Sequence, residues 1–179
     1  YSVSPGNFAG GLSTIEEKSM GAVIKSGTKP IQGVLKVGMN PPKKGLWLLD
    51  STPDPGDVQY GITNPNDNEG LMDLISCGSH LVFLVTGRGN VVGSVVAPVI
   101  KVTGNSETYQ KLKGDMDFNA GLLLDGNICT EELAFKLAVY VLGICRGQLT
   151  KAESLGHVEY FIPYKNQDKT VMIRKECKF

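Results

Sequence analysis

The segment His80-Leu81-Val82-Phe83-Leu84-Val85-Thr86-Gly87-Arg88-Gly89-Asn90 decides how the rest of the chain is read. A continuous apolar run of this length suits a strand covered on both faces, as in a parallel sheet. It stops at a polar glycine turn, the pattern expected at the carboxyl edge of such a sheet, where ligands bind. Gly87 and Gly89 let another backbone or a ligand come close, and Arg88 offers a planar fork suited to a carboxylate. The same arginine would serve equally to pin the loop to a neighbouring aspartate. The run Gly87-x-Gly89-x-x-x-Gly93 is one residue too long for a dinucleotide fingerprint. Residues 94–102 after it read as strand rather than helix, which excludes a nicotinamide site.

Working outward, residues 31–37 alternate as a strand closed by Gly38, and Leu46-Trp47-Leu48-Leu49-Asp50 is a second apolar run ended by an acid. Residues 95–102 form another strand, interrupted by Pro98, and residues 158–164 a last one. Between them lie helices over 16–26, stopped by Gly27, and over 68–78, with Leu71, Leu74 and Ile75 on one face. A helical turn covers 108–113. The clearest helix spans 130–147, with Thr130 as N-cap, Leu133, Leu137, Val141 and Cys145 as its apolar stripe, Arg146 at its end and Gly147 as its stop. Residues 51–67, with three prolines, are a long loop of the kind that often binds ligands. Alternating strands and helices predict an α/β layer fold.

The opening Gly6-Asn7-Phe8-Ala9-Gly10-Gly11-Leu12-Ser13-Thr14-Ile15-Glu16-Glu17-Lys18-Ser19-Met20 feeds a glycine-hinged loop into a helix start. Ser13 with Glu16, and Thr14 with Glu17, both have capping-box spacing. Such a start is a seat for an anion, and Glu16, Glu17 and Lys18 add groups that can move protons. A well-capped surface helix explains the same residues.

Further on, Lys101 and Asn105 bracket a turn after a strand, where a lysine could stabilise an enolate or, if desolvated, take a proton. Asp115, Asp117 and Asn119 alternate as hard oxygen ligands do, although the glycine is misplaced for a calcium-binding loop. They could hold magnesium, calcium or iron, or simply cap a helix. Asp50 is another candidate ligand. His157 and Glu159, two apart on the expected last strand, would share one face. A carboxylate beside a histidine orients it and raises its pKa, making His157 the leading acid–base candidate. His80, at the other end of its strand from Arg88, reads as structural.

Five ordered motifs carry a resemblance: the opening stretch, Thr86-Gly87-Arg88-Gly89-Asn90, Ala97-Pro98-Val99-Ile100-Lys101-Val102-Thr103-Gly104-Asn105, Gly114-Asp115-Met116-Asp117-Phe118-Asn119-Ala120-Gly121, and Leu155-Gly156-His157-Val158-Glu159-Tyr160. Together they resemble the carboxy-terminal domain of the altronate and galactarate dehydratase family, which also holds the large subunit of sulfolactate sulfo-lyase. The resemblance runs from about residue 6 to about 165. It implies a Rossmann-like, mostly parallel sheet with flanking helices, residues 1–165 forming that domain or part of it and 166–179 a tail. Family enzymes are longer and this chain lacks an initiating Met, so it is expected to be a piece of a larger multi-domain enzyme.

The implied activity is removal of water from a hydroxylated sugar acid, assisted by a divalent metal. Iron is the metal associated with the family, with Mg2+, Mn2+ or Ca2+ as alternatives. On that reading His157, Glu17, Lys18 and Lys101 move protons or stabilise charge. Gly10, Gly11, Thr14, Arg88 and Asn105 bind the substrate, and Asp50, Asp115 and Asp117 hold the metal. Elimination of sulfite from sulfolactate is the alternative, favoured by the loop at 54–70 and by the lack of a proline after the arginine turn. A non-catalytic domain completing a site built elsewhere is a third reading. The expected partners are a sugar-acid or sulfo-acid substrate, the remaining segments or a small subunit of the same enzyme, and further copies in a homo-oligomer.

Composition agrees with this and narrows it. Eighteen basic and eighteen acidic side chains leave no net charge to attract nucleic acid or an anionic membrane. The cysteines, Cys77, Cys129, Cys145 and Cys177, form no CxxC pair, and Cys77 and Cys145 are expected to be reduced and buried. With no signal-like start and no apolar run long enough for a membrane span, the expected compartment is the cytoplasm.

Overall fold

A computed structural model of the chain describes residues 5–9, 11–52 and 66–160. The chain divides into two compact units, one of Tyr1–Gly33 with Lys43–Leu48 and one of Val34–Pro42 with Leu49–Phe179. Helices alternate with strands, and the larger sheet is parallel, so the fold is α/β.

The first unit opens with a short helix, α1 (Pro5–Ala9), closed by Gly11 at φ +99°. Its main helix, α2 (Ile15–Lys25), starts on Thr14, whose hydroxyl accepts the Glu17 N–H, and ends before Gly27 at φ +82°. Strands β1 (Ile31–Lys36) and β2 (Leu46–Asp50) make a two-stranded sheet. The expectation that the β2 run is covered on both faces fails: Leu46 is exposed and the other four residues are half-buried. With β1 as its neighbour in so small a sheet, apolar composition alone could not enclose it.

The second unit holds α3 (Asp67–Ser76), β3 (Val82–Thr86), β4 (Val99–Thr103), α4 (Ser106–Lys111), β5 (Phe118–Asn119), α5 (Gly121–Leu124), α6 (Thr130–Cys145) and α7 (Lys151–Leu155). Its three strands run parallel in the order β3-β4-β5, with Val82 opposite Val99 and Thr86 opposite Thr103. Every residue of β4 is buried. On one face Val99 meets Val82, Leu71 of α3 and Val92; on the other Ile100 and Val102 meet Ile144, Tyr140 and Val141 of α6.

β4 is therefore the doubly covered strand, and β3 is not. Phe83 and Val85 of β3 are 43% and 72% exposed, because β3 lies at the sheet edge while α6 packs on Ile100 and Val102. Residues 95–97 are outside β4; Pro98 precedes it and its carbonyl accepts the Val82 N–H at 3.0 Å. In α6, Cys129 rather than Thr130 is the cap residue, and Ile144 rather than Cys145 turns inward, leaving Cys145 exposed. Cys77 is buried as expected. Of the strand expected over residues 158–164, residues 158–160 are not a strand and 161–164 lie outside the described residues; the Val95 N–H donates to the Glu159 carbonyl at 3.3 Å. No helix among the described residues is long and apolar enough to cross a membrane.

Candidate active site

The carboxyl edge of the parallel sheet is built by two registered strand ends. Past Thr86, the Gly89 N–H donates to the Thr86 hydroxyl at 3.1 Å, and Gly89 takes φ +91° with the Leu112 side chain occupying the place of a Cβ. Past Thr103, Asn105 donates its N–H to the Thr103 hydroxyl at 3.1 Å and caps α4 by accepting the Thr108 N–H at 3.0 Å. Thr108 Oγ1 donates to the Gly87 carbonyl at 2.8 Å, tying the two turns together. Arg88 and Asn105 thus share this edge, Arg88 exposed to solvent and Asn105 with its amide oxygen engaged as a cap.

Lys101 lies within β4, fully buried. Its ammonium donates to the Val91 carbonyl at 3.2 Å. Burial pulls its pKa below the usual lysine value, against the charges of Asp117, Asp115 and Glu159, which push it back up. Two residues beyond Val91, the Gly93 N–H donates to Glu159 Oε2 at 3.1 Å. The other oxygen of Glu159 is 3.8 Å from His157 Nδ1. Hydrogen bonds from the backbone, with the charges of His157 and Lys101 behind them, hold the Glu159 carboxyl below its ordinary range.

Only glycine fits at position 93: a Cβ there would strike the His157 carbonyl and come within 2.9 Å of the Cβ atoms of Ala152 and His157. Segment 91–93 is therefore the spine on which Lys101, Glu159 and His157 meet. His157 keeps a quarter of its side chain open to solvent.

α7 aims the histidine. Thr150 and Glu153 form a reciprocal capping box at its start, and Gly156 ends it in the left-handed conformation at φ +75°. The Gly156 N–H then reaches the Glu153 carbonyl at 3.1 Å and the His157 N–H the Ala152 carbonyl at 2.9 Å. Neither this helix nor Tyr140 figured in the sequence reading, although Thr150-x-x-Glu153 is a legible helix-start signal.

Two of the three carboxylates assigned to a metal are engaged by other partners. Asp117 Oδ2 accepts the Lys101 N–H, and Oδ1 accepts both the Tyr140 hydroxyl and the Lys151 N–H, each at 2.8 Å. Asp50 pairs with Lys36 at 2.7 Å and accepts the Thr52 N–H at 3.0 Å, which lowers its pKa to about 2. Asp115 is half-buried and acts on Lys101 through its charge. Among the described residues no group of three or more histidine, cysteine or acidic side chains could hold a metal ion. Asp50 and Asp117 would have to release these partners to ligate a divalent cation.

The helix start in the first unit uses its polar atoms locally. Glu17 Oε2 accepts the Ser13 N–H at 2.8 Å and the Ser13 hydroxyl at 2.7 Å, and these bonds lower its pKa. Thr14 Oγ1 accepts the Glu17 N–H at 3.1 Å. Glu16, Glu17 and Lys18 are exposed. Gly11 donates its N–H to the Phe8 carbonyl at 3.0 Å, and Gly10 lies outside the described residues.

A buried acid also went unread. Asp73 of α3, 3% exposed, has its pKa raised to about 6 by burial and by the charge of Glu69.

Residues 1–168 match the family described as D-galactarate/altronate dehydratase, C-terminal. The chain is 38% identical over 150 residues to the altronate dehydratase of Bacillus subtilis, covering 84% of this chain and 28% of that enzyme. It is 31% identical over 159 residues to (2R)-sulfolactate sulfo-lyase subunit beta of Chromohalobacter salexigens, covering 88% and 38%. Against the galactarate dehydratase (L-threo-forming) of Escherichia coli it is 32% identical over 145 residues, covering 81% and 25%. The chain thus spans between a quarter and two fifths of the length of these curated relatives.

Proposed function

The chain belongs to the D-galactarate/altronate dehydratase C-terminal family, and on that premise we propose that it supplies acid–base and charge-stabilising groups for the elimination of water from a hydroxylated sugar acid. The observation that carries this reading is the gathering of Lys101, Glu159 and His157 on segment 91–93. The reaction removes a poorly acidic proton beside an ionised carboxylate, then expels the β-substituent. It needs positive charge facing the carboxylate, a base, and an acid for the leaving group.

His157 moves the proton: it is partly open to solvent, and Glu159 stands beside Nδ1 to orient the ring and balance its charge. Lys101, buried with a lowered pKa, supplies positive charge close to the reacting atoms, where low dielectric strengthens it. Arg88, at the sheet edge on the same connection, takes the substrate carboxylate. Each of these roles falls to a side chain of this chain, whether or not a metal assists from elsewhere in the enzyme.

Sulfite elimination is the second reading, supported by the match to the sulfo-lyase subunit over 88% of the chain. The test is a steady-state elimination assay of the full-length enzyme with altronate, galactarate and sulfolactate. Turnover of either sugar acid that is lost in His157→Ala supports the proposal. Turnover of sulfolactate alone replaces it with the second reading, and no turnover of any of the three overturns both.

A further inference from the structure

Lys101 and His157 are 56 residues apart in the sequence, yet one buried side chain connects the backbones that carry them. Asp117, 8% exposed, accepts the Lys101 N–H on one oxygen and the Lys151 N–H on the other. Its own N–H returns to the Lys101 carbonyl at 2.9 Å, which clamps it to the middle of β4. Lys151 is the first residue of α7, and its N–H is among the donors that a helix start leaves unpaired. From there the helix is one short piece whose left-handed end at Gly156 delivers His157 to Gly93.

We propose that Asp117 is a positioning residue that ties β4 to the start of α7, and so holds Lys101 and the His157–Glu159 pair on segment 91–93. The inference rests on the reading that this cluster is the reacting site. Tyr140 is part of the device. Its hydroxyl donates to the same oxygen as Lys151, and burial and that bond raise its pKa, so it stays a donor. A carboxylate already accepting three donors would have to release them to bind a cation, the physical reason Asp117 fits this role and not that of a ligand.

One substitution cuts the tie, both by removing the donor and by setting a ring carbon against Asp117 Oδ1. Lys151→Pro deletes the N–H, and proline is favoured at the first position of a helix. Thr150 before it, at φ −68° and ψ 167°, already has a backbone that proline accepts. Lys151→Ala keeps the N–H and is the control. Two readouts in the full-length enzyme decide the matter: hydrogen exchange at the Gly93 amide, and kcat against KM. The proline variant is expected to lose protection at Gly93 and up to about 100-fold in kcat with KM little changed, as for a small misplacement of reacting groups. The alanine variant should match the wild type in both.

Tyr140→Phe, which removes a different donor, should shift both readouts the same way by less. It serves if the proline variant does not fold. Equal Gly93 protection and equal kcat in the proline and alanine variants would overturn the proposal, as would a Tyr140→Phe protein that matches the wild type. If the wild-type enzyme eliminates nothing, the functional reading fails, while exchange at Gly93 still decides whether Asp117 positions the segment.

Discussion

The start of α2 and the segment at 91–93 are built from similar residues, glycine, acid and base, and use them differently. At the α2 start Ser13, Thr14 and Glu17 bond to one another across three or four residues and remain exposed. At 91–93 the partners come from residue 101 and from residues 157 and 159, and the lysine is fully buried. A polar group satisfied by its neighbours in sequence has little reason to leave water. One satisfied across the fold has been desolvated, and desolvation is what changes its chemistry. The comparison teaches that motif density alone does not locate a reactive site; sequence separation of the partners is the better guide.

The sharpest way to break this contrast is kinetic. In the full-length enzyme His157→Ala should slow turnover by roughly 100- to 10,000-fold while KM moves little, and Lys18→Met should slow it far less. Steady-state rates with folding checked by thermal melt would show it. Equal losses at the two positions would put the opening helix back in the chemistry.

Stability offers the next contrast. Gly93→Ala forces a Cβ against His157 and Ala152 and should cost about 3 kcal/mol. Gly11→Ala meets open space and bears only the strain of a positive φ, about 1 kcal/mol. Thermal or denaturant melts rank the two.

Buried charge should also show in the pH dependence of stability, through Asp73. Its folded pKa of about 6 lies above the ordinary 3.8, so the native state holds its proton more tightly than the unfolded chain. The stabilisation is complete below about pH 3.8 and is lost as pH rises through about 6. Asp73→Asn should therefore stabilise the protein at pH 8, by an amount of order 1 kcal/mol, and change little at pH 4. A gain of the same size at both values would mean that charge burial is not the cause.

The smallest effect belongs to the local motif. Thr14→Ala removes one cap hydrogen bond and should cost about 0.5–2 kcal/mol in α2, read by helicity, with kcat unchanged.

Much of the secondary structure was legible because its causes are local. Thr14, Gly27, Gly38 and Gly147 mark element ends that the structure keeps. The coverage of strands was not, because short, largely apolar runs look alike in β2, β3 and β4 while neighbours decide which is enclosed. His157, Glu159 and Lys101 were singled out in the sequence from side-chain type and spacing. Their assembly was hidden, since it depends on the Gly93 approach and on Asp117 as a shared acceptor. The reading of a last strand from about residue 158 put His157 and Glu159 on one face for the wrong reason. A left-handed helix end at Gly156, not strand alternation, sets the direction of the histidine.

The Asp117 carboxylate also sets a timetable for synthesis. Its donors lie 16, 23 and 34 residues away, at Lys101, Tyr140 and Lys151. β4 leaves the ribosome with Ile100 and Val102 ready to bury, but the helix that covers them is made some forty residues later. At roughly 5–20 residues per second, the nascent strand waits several seconds with its Ile100 and Val102 face bare. Chaperone dependence during translation should therefore be greatest while the ribosome is between β4 and α7, and should fall once Lys151 has cleared the exit tunnel.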